Sequence, residues 1–168
     1  HLPLLTMAIG HVGHAAIRNR GTLGGSISLA DPAAEMPACA IALNAEIELQ
    51  GPGGTRRIAA HDFFHGLFET ERQADELLTA VHFPLPASEN QSAFIELARR
   101  HGDYALVGVA VHGPVAGGTF GALRIVYFGV GDKATLATNA AQALEGQSLT
   151  DETLSRAQEA LNGDLDPS

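Results

Sequence analysis

Residues 21–26 read Gly-Thr-Leu-Gly-Gly-Ser, and this segment has the clearest capacity for binding chemistry in the chain. Glycine lets the backbone approach a ligand closely, and free N–H groups in such a turn can point at phosphate oxygens. The hydroxyls of Thr22 and Ser26 add further donors beside Gly24 and Gly25. These residue types at this spacing predict a turn that contacts an anionic cofactor.

The glycine spacing differs from the two common phosphate-binding motifs. Gly21, Gly24 and Gly25 do not fit the Gly-x-Gly-x-x-Gly fingerprint, and no Gly-Lys-Ser or Gly-Lys-Thr follows as in a P-loop. An ordinary NAD-dependent oxidoreductase is therefore a weaker interpretation. A purely structural turn also stays open at this point, because glycine pairs are common in turns.

The histidines give a weaker signal. His61 and His65 have the spacing of a zinc-protease motif with Asp in place of Glu, but their stretch ends at Gly66 and no third ligand is evident. His11 and His14 are close in sequence without acidic or cysteine neighbours. A loop or partly buried role is favoured over metal binding, so no metal site is predicted.

The sequence assigns the single cysteine to the core and leaves the role of four arginines open. Cys39 is the only cysteine, so no internal disulfide can form and a reducing compartment, the cytoplasm, is predicted. It is expected to be a small core residue, and one cysteine cannot hold an iron–sulfur cluster. Four arginines could form surface salt bridges, support the glycine turn or contact a partner: Arg18, Arg20, Arg99 and Arg100.

The elements around the glycine turn are predicted to be helical. Pro3–Ile9 is an apolar helical stretch. Asp31 and Pro32 predict the start of a second helix, because Asp can cap a helix and Pro is tolerated in its first turn. That helix would bury one apolar face, formed by Met36, Ala40, Ile41 and Leu43.

The rest of the first half predicts strands. A Gly51–Gly54 turn should join two short strands, and a further strand should end at Pro84. The predicted segments are strands over 46–50, 56–59 and 76–83, with a short helix or loop over 62–68.

The second half follows a different pattern. Strands are predicted over 92–98, 106–112 and 121–130, followed by helices over 134–144 and 151–161, the latter with Thr150 as N-cap. The polar segment 86–91, which begins at Pro86 and closely follows Pro84, is the predicted linker between a first domain, 1–85, and a second, 92–168. This order predicts an α+β fold.

Composition excludes some classes of partner. The 168 residues carry a formal net charge of −9, which argues against nucleic acid or an anionic membrane surface as a partner. No apolar run approaches the length of a membrane span. The hydrophobic fraction of 45% is enough for a core of one medium or two small domains.

Two adjoining segments resemble a known flavin-binding motif. Residues 17–26 and 30–37 are similar to the second flavin motif in the FAD subunits of molybdenum hydroxylases, the medium subunits of the xanthine dehydrogenase and carbon monoxide dehydrogenase family. Three later segments, 76–84, 98–107 and 127–133, resemble further segments of that family in the same order. Four ordered similarities over some 120 residues are far more specific than any one of them.

The resemblance implies roles for particular residues. Glu35 takes the place of the family's acidic residue, and Asp31 is the second carboxylate of the segment. Leu78 falls on a strand that touches the cofactor, and Tyr104 matches an aromatic residue near the isoalloxazine face. Ile95 departs from the family, whose members often carry Lys close to the flavin. The cofactor loop would comprise Thr22, Leu23, Gly24, Gly25 and Ser26.

The resemblance also implies fold and function. The fold would be the second subdomain of a PCMH-type FAD-binding domain, a mixed or antiparallel sheet with flanking helices. A small C-terminal domain would follow, with a three-stranded antiparallel sheet and helices. The subunit would bind FAD and pass electrons from a molybdopterin-binding large subunit, through 2Fe-2S clusters on a small subunit, to an external acceptor. No catalytic residue of its own is expected, because the flavin performs the redox step.

One family motif has no counterpart here. Family members carry an earlier Ala-Gly-Gly-Thr/His motif that grips the pyrophosphate, and nothing of that kind precedes Gly10. The sequence is therefore expected to be a fragment without the N-terminal FAD subdomain, inactive alone and binding FAD weakly or not at all. The alternative is a structural or assembly module of the same fold that has lost FAD binding.

Overall fold

The computed structural model describes residues 1–166, which form seven α-helices, one short 3-10 helix and ten β-strands. The helices are α1 Pro3–Ile9, α2 Ala15–Arg18, α3 Leu23–Leu29, α4 Glu35–Ala42, α5 Ala60–Phe63, α6 Thr138–Leu144 and α7 Asp151–Ala160, with the 3-10 turn at Leu161–Gly163. The strands are β1 Glu46–Gly51, β2 Gly54–Ala59, β3 Phe64–Gly66, β4 Glu69–Thr70, β5 Leu77–His82, β6 Asn90–Ala98, β7 Ala105–Ala116, β8 Thr119–Phe120, β9 Arg124–Phe128 and β10 Thr135–Leu136.

The first half contains an antiparallel sheet with the strand order β2-β1-β5. The predicted turn is confirmed, since Gly51 pairs with Gly54 at the end of the β1–β2 hairpin. Strand β5 ends at His82, shortly before Pro84, as expected for a residue that cannot donate to a ladder. Helices α1 to α5 and the small β3–β4 pair complete this half.

The second half contains a five-stranded antiparallel sheet. Its main path is β10-β9-β7-β6, and β8 pairs with the end of β7. The three strands predicted from the sequence are its long members, β6, β7 and β9. The two short strands β8 and β10 lack a hydrophobic pattern long enough to be predicted. Helices α6 and α7 pack together beside β9.

One hydrophobic core joins the two halves. Every residue of α4 is buried, and its neighbours include Phe63 from the first half and Val126 and Phe128 from β9. Arg124 on β9 donates from Nε to the carbonyl of Ile41, 2.9 Å away, near the end of α4. The α4 helix therefore lies between the elements of both halves.

A second core cluster lies under the last two helices. It includes Ile125, Ala140 and Ala157. Thr150 is the N-cap of α7, as predicted: it accepts from the Thr153 N–H, and the Thr153 hydroxyl accepts in return from the Thr150 N–H. This reciprocal pair satisfies two backbone donors at once.

Two predicted helix starts were wrong. Helix α4 begins at Glu35, because the Asp31 carboxylate accepts from the Ala33 N–H at 2.9 Å and closes a local turn instead of capping a helix. Residues 135–136 pair with β9 as β10, so the helix that follows begins only at Thr138. No helix within residues 1–166 is long and apolar enough to cross a lipid bilayer.

Candidate functional site

The glycine segment is the first turn of helix α3 and not an irregular turn. Thr22 is the N-cap, with extended backbone, and its Oγ1 accepts from the Gly25 N–H at 2.9 Å. Gly24 and Gly25 occupy the second and third helical positions. The prediction of a turn failed because glycine disfavours a helix, whereas a threonine N-cap promotes one.

The first turn of α3 leaves backbone donors without helical acceptors. The Gly25 N–H is taken by Thr22 Oγ1, and the Ser26 N–H donates to the Thr22 carbonyl at 3.1 Å. The amides of Leu23 and Gly24 have no acceptor within a helix, because the first N–H groups of any helix point out of its end. The macrodipole adds partial positive charge at the same place.

Gly25 lies close to the side chain of its own N-cap residue, Thr22. A Cβ added at Gly25 would lie 2.9 Å from Thr22 Oγ1, closer than real Cβ atoms come to other heavy atoms. A Cβ added at Gly24 would lie 3.5 Å from a Leu78 methyl, an ordinary van der Waals distance. The two glycines therefore differ: a Cβ at Gly25 would require Thr22 Oγ1 to shift, whereas a Cβ at Gly24 would fit without such a shift.

A cleft of about 600 Å³ opens beside the start of α3. We call it the α3 cleft. Seven of the nine predicted cofactor residues line it: Thr22, Leu23, Gly25, Ser26, Asp31, Glu35 and Tyr104. Within residues 1–166, the lining does not include Gly24 and Leu78, which contact each other at the α3–β5 junction. Leu78 is half-buried and packs on the main core.

Two loops from different halves meet at the rim of the cleft. Gly102 has a φ of +80°, and a Cβ there would lie 2.7 Å from the Gly13 carbonyl oxygen, so only glycine fits. This contact places Tyr104, which is 72% exposed, over the α3 cleft. Arg18 holds the facing loop by donating from Nη1 to the carbonyls of Val12 and Gly13, at 2.8 and 2.9 Å.

Glu35 brings an unusual carboxyl group to the cleft. It is the first residue of α4 and only 8% exposed. Burial raises the pKa of Glu35 from its ordinary value of 4.5 to about 7, and a backbone hydrogen bond opposes this rise. Two nearby carboxylates, Glu96 and Asp31, raise this pKa further, whereas His11 lowers it. Glu35 therefore retains its proton to a higher pH than an exposed glutamate does.

Sequence reasoning missed the residues that shape the rim. Arg18 was left undecided, and its role is to fix the Val12–Gly13 loop. Gly102 and Asp103 also line the cleft. The Gly-Asp pair following two arginines could have marked this loop as a tight turn. Ile95, at the position where the family often has Lys, is 69% exposed.

The remaining candidates lie elsewhere. His65 Nε2 lies 2.9 Å from a Glu71 carboxylate oxygen, and no group of three or more metal-binding side chains occurs among residues 1–166. Cys39 is fully buried in α4, as predicted. Burial and the nearby Glu35 carboxyl raise the pKa of the Cys39 thiol to about 12. A thiol in that state is inert.

The α3 cleft opens beside a helix N-terminus whose free N–H groups are suited to an anionic group. Two known protein families match separate parts of the chain. Residues 1–86 match the FAD binding domain in molybdopterin dehydrogenase, and residues 92–168 match the CO dehydrogenase flavoprotein C-terminal domain. The chain therefore belongs to the FAD-binding medium-subunit family of the molybdenum hydroxylases. This confirms the family and the fold predicted from the sequence.

Individual relatives agree with this assignment. The chain is 40% identical over 160 residues to the nicotine 6-hydroxylase medium subunit of Paenarthrobacter nicotinovorans, covering 95% of this chain and 56% of that protein. It is 34% identical to the glyceraldehyde dehydrogenase medium chain of Sulfolobus acidocaldarius, covering 99% of this chain and 59% of that protein. The chain thus spans somewhat more than half the length of these relatives.

Solved structures agree as well. The carbon monoxide dehydrogenase of Hydrogenophaga pseudoflava superposes with a TM-score of 0.95 at 35% identity, over 99% of this chain and 58% of that one. Quinoline 2-oxidoreductase from Pseudomonas putida 86 superposes with a TM-score of 0.90 at 39% identity, over 98% of this chain and 57% of that one.

Proposed function

We propose that this chain contributes to an FAD site in the medium subunit of a molybdenum hydroxylase, with the α3 cleft as its part of that site. The observation that carries the proposal is the convergence of seven predicted residues from three separate segments on one cleft. A structural turn would have no reason to combine an open helix start, an apolar cleft and an exposed aromatic side chain at one place.

The residues present fit such a cofactor. The N–H groups of Leu23 and Gly24 and the hydroxyl of Ser26 are donors suited to an anionic portion of FAD. Gly25 keeps the helix start free of a side chain. Tyr104 offers an aromatic face at the rim, suited to the isoalloxazine ring. When bound, FAD supplies the redox chemistry, and the protein supplies binding, orientation and electrostatics.

The proposed partners follow from the family. The chain would function with a molybdopterin-binding large subunit and a 2Fe-2S small subunit, from which electrons reach the FAD and leave for an external acceptor. Another solved structure that superposes on this chain, with a TM-score of 0.95 at 32% identity, is a Cu,Mo-CO dehydrogenase, and this supports a molybdenum-containing partner. We also propose a boundary between the FAD-binding and C-terminal regions at residues 86–91, and a cytoplasmic location.

The proposal is tested by the FAD content of the protein containing this chain, purified with its partners. About one FAD per chain is expected, and Tyr104→Ala should alter the fluorescence of the bound flavin. Leu149→Ala, at an exposed apolar residue outside the cleft lining, is the control and should leave fluorescence unchanged. A complex that assembles without FAD would support the structural module instead.

A further inference from the structure

A second cavity, of about 200 Å³, lies where the two halves of the chain meet. We call it the linker cavity. Residues 42–44 at the end of α4 line one side, and residues 84–86, which follow β5, line another. The rest of the lining comes from one end of the C-terminal sheet, including His112 and Arg124. Within residues 1–166, the linker cavity shares no lining residue with the α3 cleft.

A row of polar side chains crosses the sheet at this cavity. Ser92 on β6 pairs with His112 on β7, and His112 pairs with Arg124 on β9. Alternate residues of a strand point to the same face, so Arg124 shares its face with Val126 and Phe128, which belong to the main core. The polar row therefore lies where the apolar face of the sheet ends.

Arg124 brings an unsatisfied cation to the linker cavity. Its Nε donates to the Ile41 carbonyl, whereas its Nη2 is buried and has no hydrogen-bond partner within residues 1–166. Burial lowers the pKa of Arg124, and no carboxylate of the described residues opposes this shift. A guanidinium nevertheless stays charged in proteins. A buried charge without a counter-charge is costly, so this position favours an anion that accepts from Arg124.

The other polar residues of the lining do not supply that anion. Burial lowers the pKa of His112, which favours the neutral imidazole. Its two ring nitrogens already have partners, with Nδ1 2.9 Å from Ser92 Oγ and Nε2 3.1 Å from Asn90 Nδ2. In the described part of the chain, no Asp or Glu lines the cavity, and Arg124 is its one Lys or Arg. The charge of the lining is therefore positive.

The remaining walls of the cavity are apolar. Leu43 is buried at the end of α4, and Pro86 faces the cavity from the segment after β5. The volume of about 200 Å³ is several times the roughly 30 Å³ that a water molecule takes in the liquid. One cationic side chain among apolar walls suits a ligand with one carboxylate and a short hydrocarbon chain.

We propose that the linker cavity binds a small aliphatic monocarboxylate, whose oxygens accept hydrogen bonds from the Arg124 guanidinium while its chain lies against Leu43 and Pro86. Hydrogen bonds between arginine and a carboxylate are charge-assisted and strong for their kind. The ligand would contact both halves of the chain and so stabilise their association. Because the site is separate from the α3 cleft, it does not depend on FAD binding there.

The test uses butyrate as the probe and butyramide as its neutral counterpart of nearly the same shape. Saturation-transfer difference NMR on the purified protein containing this chain, with excess FAD to fill the α3 cleft, measures binding of each. Butyrate should bind saturably and at least about tenfold more tightly than butyramide. Arg124→Gln should lower butyrate affinity by a similar factor, whereas Arg156→Gln, on the exposed surface of α7, should not change it.

A second variant avoids the hydrogen bond that Arg124 makes to α4. Asn44 lines the cavity at a φ of +53°, a conformation that Asp also tolerates, so Asn44→Asp should fold normally. Its carboxylate should weaken butyrate binding about threefold or more through like-charge repulsion. Asn162→Asp, at an exposed residue of the 3-10 turn, is the control and should bind butyrate normally.

Three results would overturn the proposal. The first is an absence of saturable butyrate binding to the unaltered protein. The second is equal binding of butyrate and butyramide, because recognition would then not involve the charge of Arg124. The third is unaltered butyrate affinity in Asn44→Asp, which would place the bound carboxylate outside the linker cavity even if Arg124→Gln did not fold.

Discussion

Helices α3 and α7 both begin at a threonine N-cap, but they differ in the hydrogen bonds of that cap and in the charge of the first turn. In α7, Thr150 and Thr153 cap each other reciprocally, and Asp151 and Glu152 add negative charge to the first turn. In α3, the Thr22 hydroxyl accepts a hydrogen bond from the Gly25 N–H with no reciprocal bond, and the first turn contains no acidic residue. The start of α7 is complete within itself, whereas the start of α3 keeps its donors and positive end available to a ligand.

Among the variants that test this difference between α3 and α7, Gly25→Val should have the largest effect, a loss of bound FAD. The new side chain would collide with Thr22 Oγ1 and project beside the cleft, so the protein containing this chain should lose nearly all of its FAD. Flavin absorbance of the purified protein measures the loss. Gly53→Val, in an exposed hairpin turn where a Cβ meets nothing within 4 Å, is the matched control. Normal FAD content in Gly25→Val would refute a cofactor role for the α3 start.

The first turn of α4 offers a second contrast with α7, because its acid is buried. The folded protein retains the Glu35 proton between about pH 4.5 and pH 7, whereas the unfolded chain releases it. Stability should therefore fall as pH rises through this window, by about 1–3 kcal/mol. Urea unfolding at pH 5 and pH 8 measures the difference, which Glu35→Gln should reduce. Glu152→Gln, in the exposed first turn of α7, should preserve it; a Glu35→Gln protein with the full difference would contradict the assignment.

Removing each threonine cap should separate stability from binding. Thr22→Val and Thr150→Val each delete one cap hydroxyl and should each lower the free energy of unfolding by about 1 kcal/mol. Only Thr22→Val should also weaken FAD binding, because α3 borders the cleft and α7 does not. Denaturant unfolding and FAD titration of both variants make the comparison, and equal FAD affinities would argue against an open α3 start.

The smallest effect is expected at Gly24. Alanine fits there at ordinary distance from Leu78 and favours a helix, so Gly24→Ala should raise the free energy of unfolding by about 0.5–1 kcal/mol. The backbone N–H is kept, so FAD affinity should change little. Gly25→Ala is the partner variant, since its Cβ would press on the Thr22 hydroxyl and should weaken FAD binding. Identical behaviour of the two alanine variants would remove the distinction between these glycines.

The sequence predicted the elements with strong local signals. The Pro3–Ile9 helix, the Gly51–Gly54 hairpin turn and the Thr150 cap are all present, since each depends on neighbouring residues alone. The helix over residues 23–29 was not predicted, because the two glycines disfavour a helix there whereas the Thr22 N-cap favours one. The start of α4 was misplaced because an Asp can cap a helix or close its own turn.

The α3 cleft was only partly predictable. The resemblance to a family identified the residues of α3 and α4, but the rim depends on contacts between distant segments. Gly102 meets Gly13, and His11 meets Glu96, across separations that no local pattern encodes. The proton on Glu35 likewise depends on burial, which follows from the assembled core rather than from residue type.

The common core around α4 has a consequence for how the molecule is made. Helix α4 is synthesised well before Phe128, yet it is buried by residues on both sides of the segment 83–89. During synthesis, the apolar, alanine-rich helix α4 stays partly exposed to solvent until β9 has emerged from the ribosome and can pack on it. An exposed apolar surface of this kind is prone to aggregation. Burial of α4 in the nascent chain therefore depends on the synthesis of the C-terminal strands.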